Sequence, residues 1–198
     1  MRRQRHTRKN EEAPIAVRLE PCRDQDITHI LHWVDSEHLM AFWAGATFRW
    51  PLSGAELHEY LQQARAPDST MRVFRVVDAQ TGAWIGHIDL CPSARNDGTA
   101  QIGRVLIGDP ALRGRGIGRQ MVGQVLDIAF YEMGMWRVDL YVARANAPAR
   151  RCYRSLGFRR LHGVAIDRLI GQTKYPTIRM TIDRSTWERR RSLPKDRF

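Results

Sequence analysis

Cysteine is scarce in this chain of 198 residues: there are three, Cys22, Cys91 and Cys152, far apart and without a C-x-x-C spacing. An odd, scattered set excludes a disulfide framework and a zinc cluster, so a cytoplasmic compartment is expected and no metal. Lysine is as rare, with Lys9, Lys174 and Lys195 the only three among 32 basic residues. No run of about 18 uncharged apolar residues is present to span a bilayer, so no membrane partner is expected. The basic opening MRRQRHTRKN leads into EEAP rather than into an apolar segment, and so does not read as a secretion signal. Internal repeats and Pro-rich or Gly/Ser-rich linkers are missing as well, which leaves one globular domain as the expectation. Its expected limits are 16–183, between a basic N-terminal tail at 1–15 and a basic C-terminal tail at 184–198.

What is there begins with charge. The net charge is +11, from 32 basic and 21 acidic side chains. Most of the excess sits in the two tails, so the body is close to balanced and composition alone names no partner. The tails read as solvated rather than as nucleic-acid-binding arms; RNA or another anionic partner is the alternative.

The hydrophobic period then orders the elements. Residues 17–21 alternate as a short strand, and Asp26 is placed to cap a helix carrying Ile27, Ile30, Leu31 and Val34. Ser53-Gly-Ala-Glu56 is a capping-box pattern ahead of Leu57, Tyr60, Leu61 and Ala64, which predicts a second helix. The period falls to two over 71–78, 83–91 and 99–107, three consecutive strands in an antiparallel meander. A helix over 118–133 follows, with Gly134 after it, then a strand at 137–143, a helix from Asn146 to Gly157 and final strands from Phe158 onward and at 175–182. This order predicts an α+β fold with a mixed sheet.

The segment Val105-Leu-Ile-Gly-Asp-Pro-Ala-Leu-Arg-Gly-Arg-Gly-Ile-Gly118 carries the chemistry. It sets a strand, an Asp-Pro turn and three alternate glycines against the start of a long amphipathic helix. Glycine permits close backbone approach, and the first helical turn leaves unpaired N–H donors at the positive end of the dipole. The product is an anion site for a phosphate or pyrophosphate, with Arg113, Arg115 and Arg119 available for charge-assisted contacts. Neither G-x-x-x-x-G-K-[ST] nor G-x-G-x-x-G is satisfied.

The loop resembles the acyl-coenzyme A loop of the GNAT superfamily of N-acetyltransferases, [QR]-x-x-G-x-[GA], met by Arg113-Gly-Arg-Gly-Ile-Gly118. The resemblance continues through Val138 to Val142, Asn146 and Arg151-Cys-Tyr-Arg-Ser-Leu-Gly-Phe158, and covers residues 71–182; residues 17–65 agree only as a strand and two helices. It implies a mostly antiparallel mixed sheet flanked by helices, with a splay between strands four and five that admits the pantetheine arm. It implies acetyl-coenzyme A as cosubstrate. Backbone groups of Arg113, Gly114, Arg115, Gly116, Ile117 and Gly118 would then hold the pyrophosphate, and Val105, Leu106 and Ile107 the pantetheine. Asn146 would contact the pantetheine region, with helix capping as its alternative role. Tyr153 would lie by the thioester sulfur as proton donor, with a core position as its alternative.

The implied chemistry is direct transfer: a neutral amine attacks the thioester, a tetrahedral oxyanion forms, and the thiolate leaves. Some members of the family carry an acidic base on the fourth strand, where this chain has Arg104. The substitutes are His87 and Asp89, on one face of the third strand; a buried structural pair is the other reading of them. Of the aromatic residues before the second strand, Trp43 and Trp50 are the candidates for an acceptor pocket. The expected acceptor is an amine-bearing small molecule or a protein N-terminus, and a homodimer is left open. A non-catalytic acyl-coenzyme A sensor and a nucleic-acid-binding protein working through its tails are the competing functional classes.

Overall fold

The computed structural model describes residues 15–170 and 173–192. The tail expected at 1–15 therefore lies, but for its last residue, outside the described residues, as do residues 193–198. The chain runs β1 (Val17–Pro21), α1 (Ile27–Trp33), α2 (Glu37–Ala44), α3 (Gly54–Arg65), β2 (Arg72–Asp78), β3 (Trp84–Pro92), β4 (Thr99–Ile107), α4 (Ile117–Asp127), β5 (Arg137–Ala143), α5 (Ala147–Leu156), β6 (Arg159–Ile170), β7 (Thr173–Asp183) and α6 (Arg184–Arg191). The strands form one sheet in the order β1-β2-β3-β4-β5-β7-β6. Every neighbouring pair is antiparallel except β4 and β5, which are parallel across the α4 connection. This is the expected mixed α+β plan.

Two apolar clusters hold the sheet. One joins the sheet to α4, α5 and α6, with Met121, Val122, Val125 and Leu126 of α4 fully buried; the other lies under α1, α2 and α3. Full burial of each such side chain contributes about 1.5–3 kcal/mol relative to exposure, so α4 is anchored mainly by its inner stripe. Ser53 caps α3 as its pattern predicts, its Oγ accepting from the Glu56 N–H at 3.2 Å. Asp26 precedes α1 but does not cap it; its carboxylate accepts from the Arg23 N–H at 2.7 Å and pairs with Arg75.

Three departures stand out. The region before β2 holds three helices rather than two, because Ser36 caps α2 by accepting from the Leu39 N–H at 3.3 Å. The helix expected over 118–133 begins at Ile117 and finishes as a π-helical turn over Ile128–Glu132. The expected C-terminal tail starts as α6: Asp183 caps it by accepting from the Thr186 N–H at 2.8 Å, and Trp187, only 8% exposed, packs into the main core with its Nε1 donating to Asp127 at 2.8 Å. One large aromatic side chain turns this arginine-rich segment into part of the folded body.

Candidate active site

The site starts where β4 and β5 part. Their pairing runs from Thr99 opposite Arg137 to Ile102 opposite Leu140 and then stops, although β4 continues to Ile107 and β5 to Ala143. The cause is a bulge in β4. Register with β3 shifts between the His87–Leu106 and Asp89–Gly103 pairs, and Arg104 takes a left-handed φ of 48°. An extra residue bends its strand, so β4 turns away from β5 and frees one edge. Gly103 suits this point because a Cβ there would lie 2.9 Å from the Asp89 carboxylate.

Downstream of the freed edge lies the glycine loop. Asp109 closes the turn by accepting from the Ala111 N–H at 2.8 Å, and Gly114 and Gly116 adopt φ of 81° and 82°. Nothing lies within 4 Å of the Cβ position of either, and both glycines are exposed, whereas Ile117, the first residue of α4, is buried. Open space over the backbone at a helix N-terminus is the geometry that accepts an anion. Arg113 and Arg119 are exposed and Arg115 is half-buried. The Arg113 side chain donates to the Ile107 carbonyl at 3.2 Å, so that carbonyl already has a protein partner. Val105 and Ile107 turn toward the main core and Leu106 toward the core under the N-terminal helices, as alternation along a strand requires.

α5 packs beside this loop: the Cys152 Sγ lies 3.6 Å from the Cβ position of Gly118. Tyr153 is buried against Phe158, with ring centroids 5.9 Å apart. Burial pushes its pKa up, which keeps the proton in place at neutral pH. Asn146 is the cap of α5, its Oδ1 accepting from the Ala149 N–H at 3.1 Å.

On the other side of the bulge a pocket opens between α2 and the splayed strands, lined by Phe42, Trp43, Thr47, Gln101, Arg104, Tyr141, Tyr175 and Thr177 among others. Trp43 belongs to it, and its Nε1 donates to the Arg104 carbonyl at 2.8 Å. Trp50 does not: it is 39% exposed and lies outside the pocket lining. Beneath the pocket wall Asp89, fully buried, accepts from both the Tyr60 hydroxyl and the Arg104 Nε. The guanidinium also lies 4.4 Å from the Tyr60 ring centroid and donates to Thr47 Oγ1 at 3.1 Å. Burial and the Asp89 charge push the Tyr60 pKa far up; for Arg104, burial is the largest single influence and lowers the pKa, but Asp89, Tyr60 and Cys91 together outweigh it and the pKa rises.

His87 is equally buried, edge-on to Trp43 with ring centroids 5.7 Å apart, and neither ring nitrogen has a hydrogen-bond partner among the described residues. Burial drives its pKa down to about 4, only partly opposed by Asp89, so the ring is neutral at pH 7. It is not among the pocket-lining residues. The shared face of His87 and Asp89 therefore does not make them a hydrogen-bonded pair; Asp89 bonds instead to Tyr60 and Arg104. Sequence reasoning reached Asp89 and Trp43 but missed Tyr60, Thr47 and Gln101. The one available signal was Arg104, the single charged residue of β4.

A parallel strand pair that splays beside a glycine loop at a helix N-terminus defines a mixed-sheet acyltransferase. Residues 16–159 match the family model of the acetyltransferase (GNAT) domain. The chain belongs to the GNAT acetyltransferase family and is an acyltransferase enzyme. It is 22% identical over 184 residues to aminoglycoside N(6')-acetyltransferase type 1 of Klebsiella pneumoniae, across 90% of this chain and 88% of the relative. It is 21% identical over 151 residues to the protein of the same name from Serratia marcescens, across 73% and 75%. Among solved structures, the spermidine N-acetyltransferase of Vibrio cholerae in complex with CoA and spermine superposes with a TM-score of 0.74 at 23% identity, over 87% of this chain and 98% of that one. That likeness is one of fold. No helix among the described residues is long and apolar enough to cross a membrane.

Proposed function

We propose that the protein transfers an acetyl group from acetyl-coenzyme A to the primary amine of an acceptor seated in the pocket beside Arg104. The observation that carries this reading is the freed β4 edge beyond Ile102, which leads from that pocket to the open backbone at Gly114 and Gly116. The residues fit the coenzyme: the empty space over both glycines accommodates a pyrophosphate, and N–H groups at the start of α4 have no intrahelical acceptor. When bound, acetyl-coenzyme A supplies the acetyl group as an activated thioester.

The chain's own residues divide the remaining work. Backbone groups of residues 113–118 hold the diphosphate, and the unpaired edge of β4 at Val105 and Leu106 bonds the amide-bearing arm as an added strand. Tyr153, kept protonated by burial, donates to the sulfur that leaves. Asp89, ion-paired with Arg104, and His87 are both fully buried and outside the pocket lining, so neither is assigned as base. The acceptor ammonium loses its proton to water in the pocket.

The test is ligand-dependent stability followed by free-thiol release. Millimolar acetyl-coenzyme A should raise the melting temperature, because a ligand bound only to the folded state stabilises it. Thiol should then appear with an amine acceptor. An unmoved melting temperature removes the coenzyme assignment. Stoichiometric binding without transfer to any amine supports a non-catalytic acyl-coenzyme A sensor instead.

A further inference from the structure

We infer that the acceptor is a compound with one amine and an oxygen acceptor, carboxylate or carbonyl, within a few bonds of it, and that Arg104 selects it through that oxygen. The inference rests on the proposed transfer reaction. Among the described residues that line the pocket, Arg104 carries the one formal charge, and none is Asp or Glu. Asp89 neutralises that charge from beneath but is fully buried and bonded to two donors. On β5, Asp139 stands opposite Gln101 in the paired segment, outside the pocket lining, with its Oδ2 bonded to Arg179 and 3.4 Å from Arg137. A polyamine or an amino sugar bearing several ammonium groups would therefore lose water there with no carboxylate among the described lining residues to replace it, which is costly for a charge.

The guanidinium, by contrast, has donors to spare. Of its five N–H groups, Nε bonds Asp89, one on a terminal nitrogen bonds Thr47, and another approaches the Cys91 sulfur at 3.7 Å. The other two have no partner among the described residues and are left for a ligand oxygen. They belong to the residue whose backbone forms the bulge where the amine must meet the acetyl group, so the oxygen they reach is close to the amine. Phe42, Tyr141 and Tyr175 supply apolar surface for the rest of the acceptor.

The test compares kcat/KM for phenylalanine, phenylalaninamide, phenethylamine and spermidine, on protein already shown to be stabilised by acetyl-coenzyme A. At least one oxygen-bearing member should exceed phenethylamine by about 10- to 100-fold, the range for one hydrogen bond to a charged group, and spermidine should be poorest. The two leading members separate a free amino acid from a peptide-like terminus. In the double variant D89N/R104Q, which removes both buried charges together, the advantage over phenethylamine should shrink to about threefold or less. Spermidine preferred in the parent, equal use of phenethylamine, or no transfer to any member overturns the inference, and so does an advantage that persists in a folded double variant. The panel on the parent protein decides the matter even if the variant does not fold. Absence of stabilisation by acetyl-coenzyme A instead brings down the transfer reading beneath it.

Discussion

Replacing Asp89 by asparagine keeps the side-chain volume and an oxygen acceptor but removes the charge that faces Arg104. Asp89 is fully buried and the Arg104 side chain is 12% exposed, so water cannot take over the interaction. Breaking a buried pair by removing one partner costs about 3–5 kcal/mol, because the surviving charge is left desolvated. For a chain of this size about 1 kcal/mol corresponds to roughly 2–4 °C, which places the loss at roughly 6–20 °C in melting temperature. R104Q should cost a comparable amount, for it strands Asp89 instead. The double variant should be destabilised by less than the two single losses added together, since neither charge is then left without a partner. Urea unfolding of parent, single and double variants measures all four corners of the cycle. A D89N loss below about 1 kcal/mol, or strict additivity, would refute the view that this pair anchors the left-handed residue of the bulge.

Gly116→Val should cost about 1–2 kcal/mol of stability, since φ there is 82°, and should weaken acetyl-coenzyme A binding in calorimetry through lost backbone approach; unchanged affinity would place the coenzyme elsewhere. Tyr153→Phe keeps the buried ring and should fold normally while lowering single-turnover rate by roughly 10² with coenzyme affinity preserved; a parent-like rate would make Tyr153 a core residue alone. His87 has a folded pKa near 4 against 6.5 when unfolded, so the unfolded chain binds the extra proton between those values. Its contribution is complete above about pH 6.5 and is lost as pH falls toward 4, on the order of 3 kcal/mol. H87L should lack that component, and parallel stability profiles for parent and H87L would count against it.

Much of this protein was determined locally and so is legible in its sequence. β4 and β5 fall at the residues predicted, because alternation over seven to nine positions is a signal that each strand carries in itself. α5 runs from the residue after Asn146 to the one before Gly157, both of which act through their own backbone neighbours. The glycine loop is visible for the same reason: its φ angles and the helix behind it belong to one continuous segment. Tertiary structure decided what depends on distant residues. Trp187 makes a helix of an arginine-rich tail only because α4 and α5 offer it a core. Tyr60, Asp89 and Arg104 come from a helix and two strands, and they meet because a one-residue bulge sets the register of β4 against β3. A strand's period says which face a side chain takes, not which charge from another element will stand opposite it. For that reason Asp89 was visible in the sequence beside His87, whereas its partnership with Arg104, and the pocket above them, belong to the folded chain.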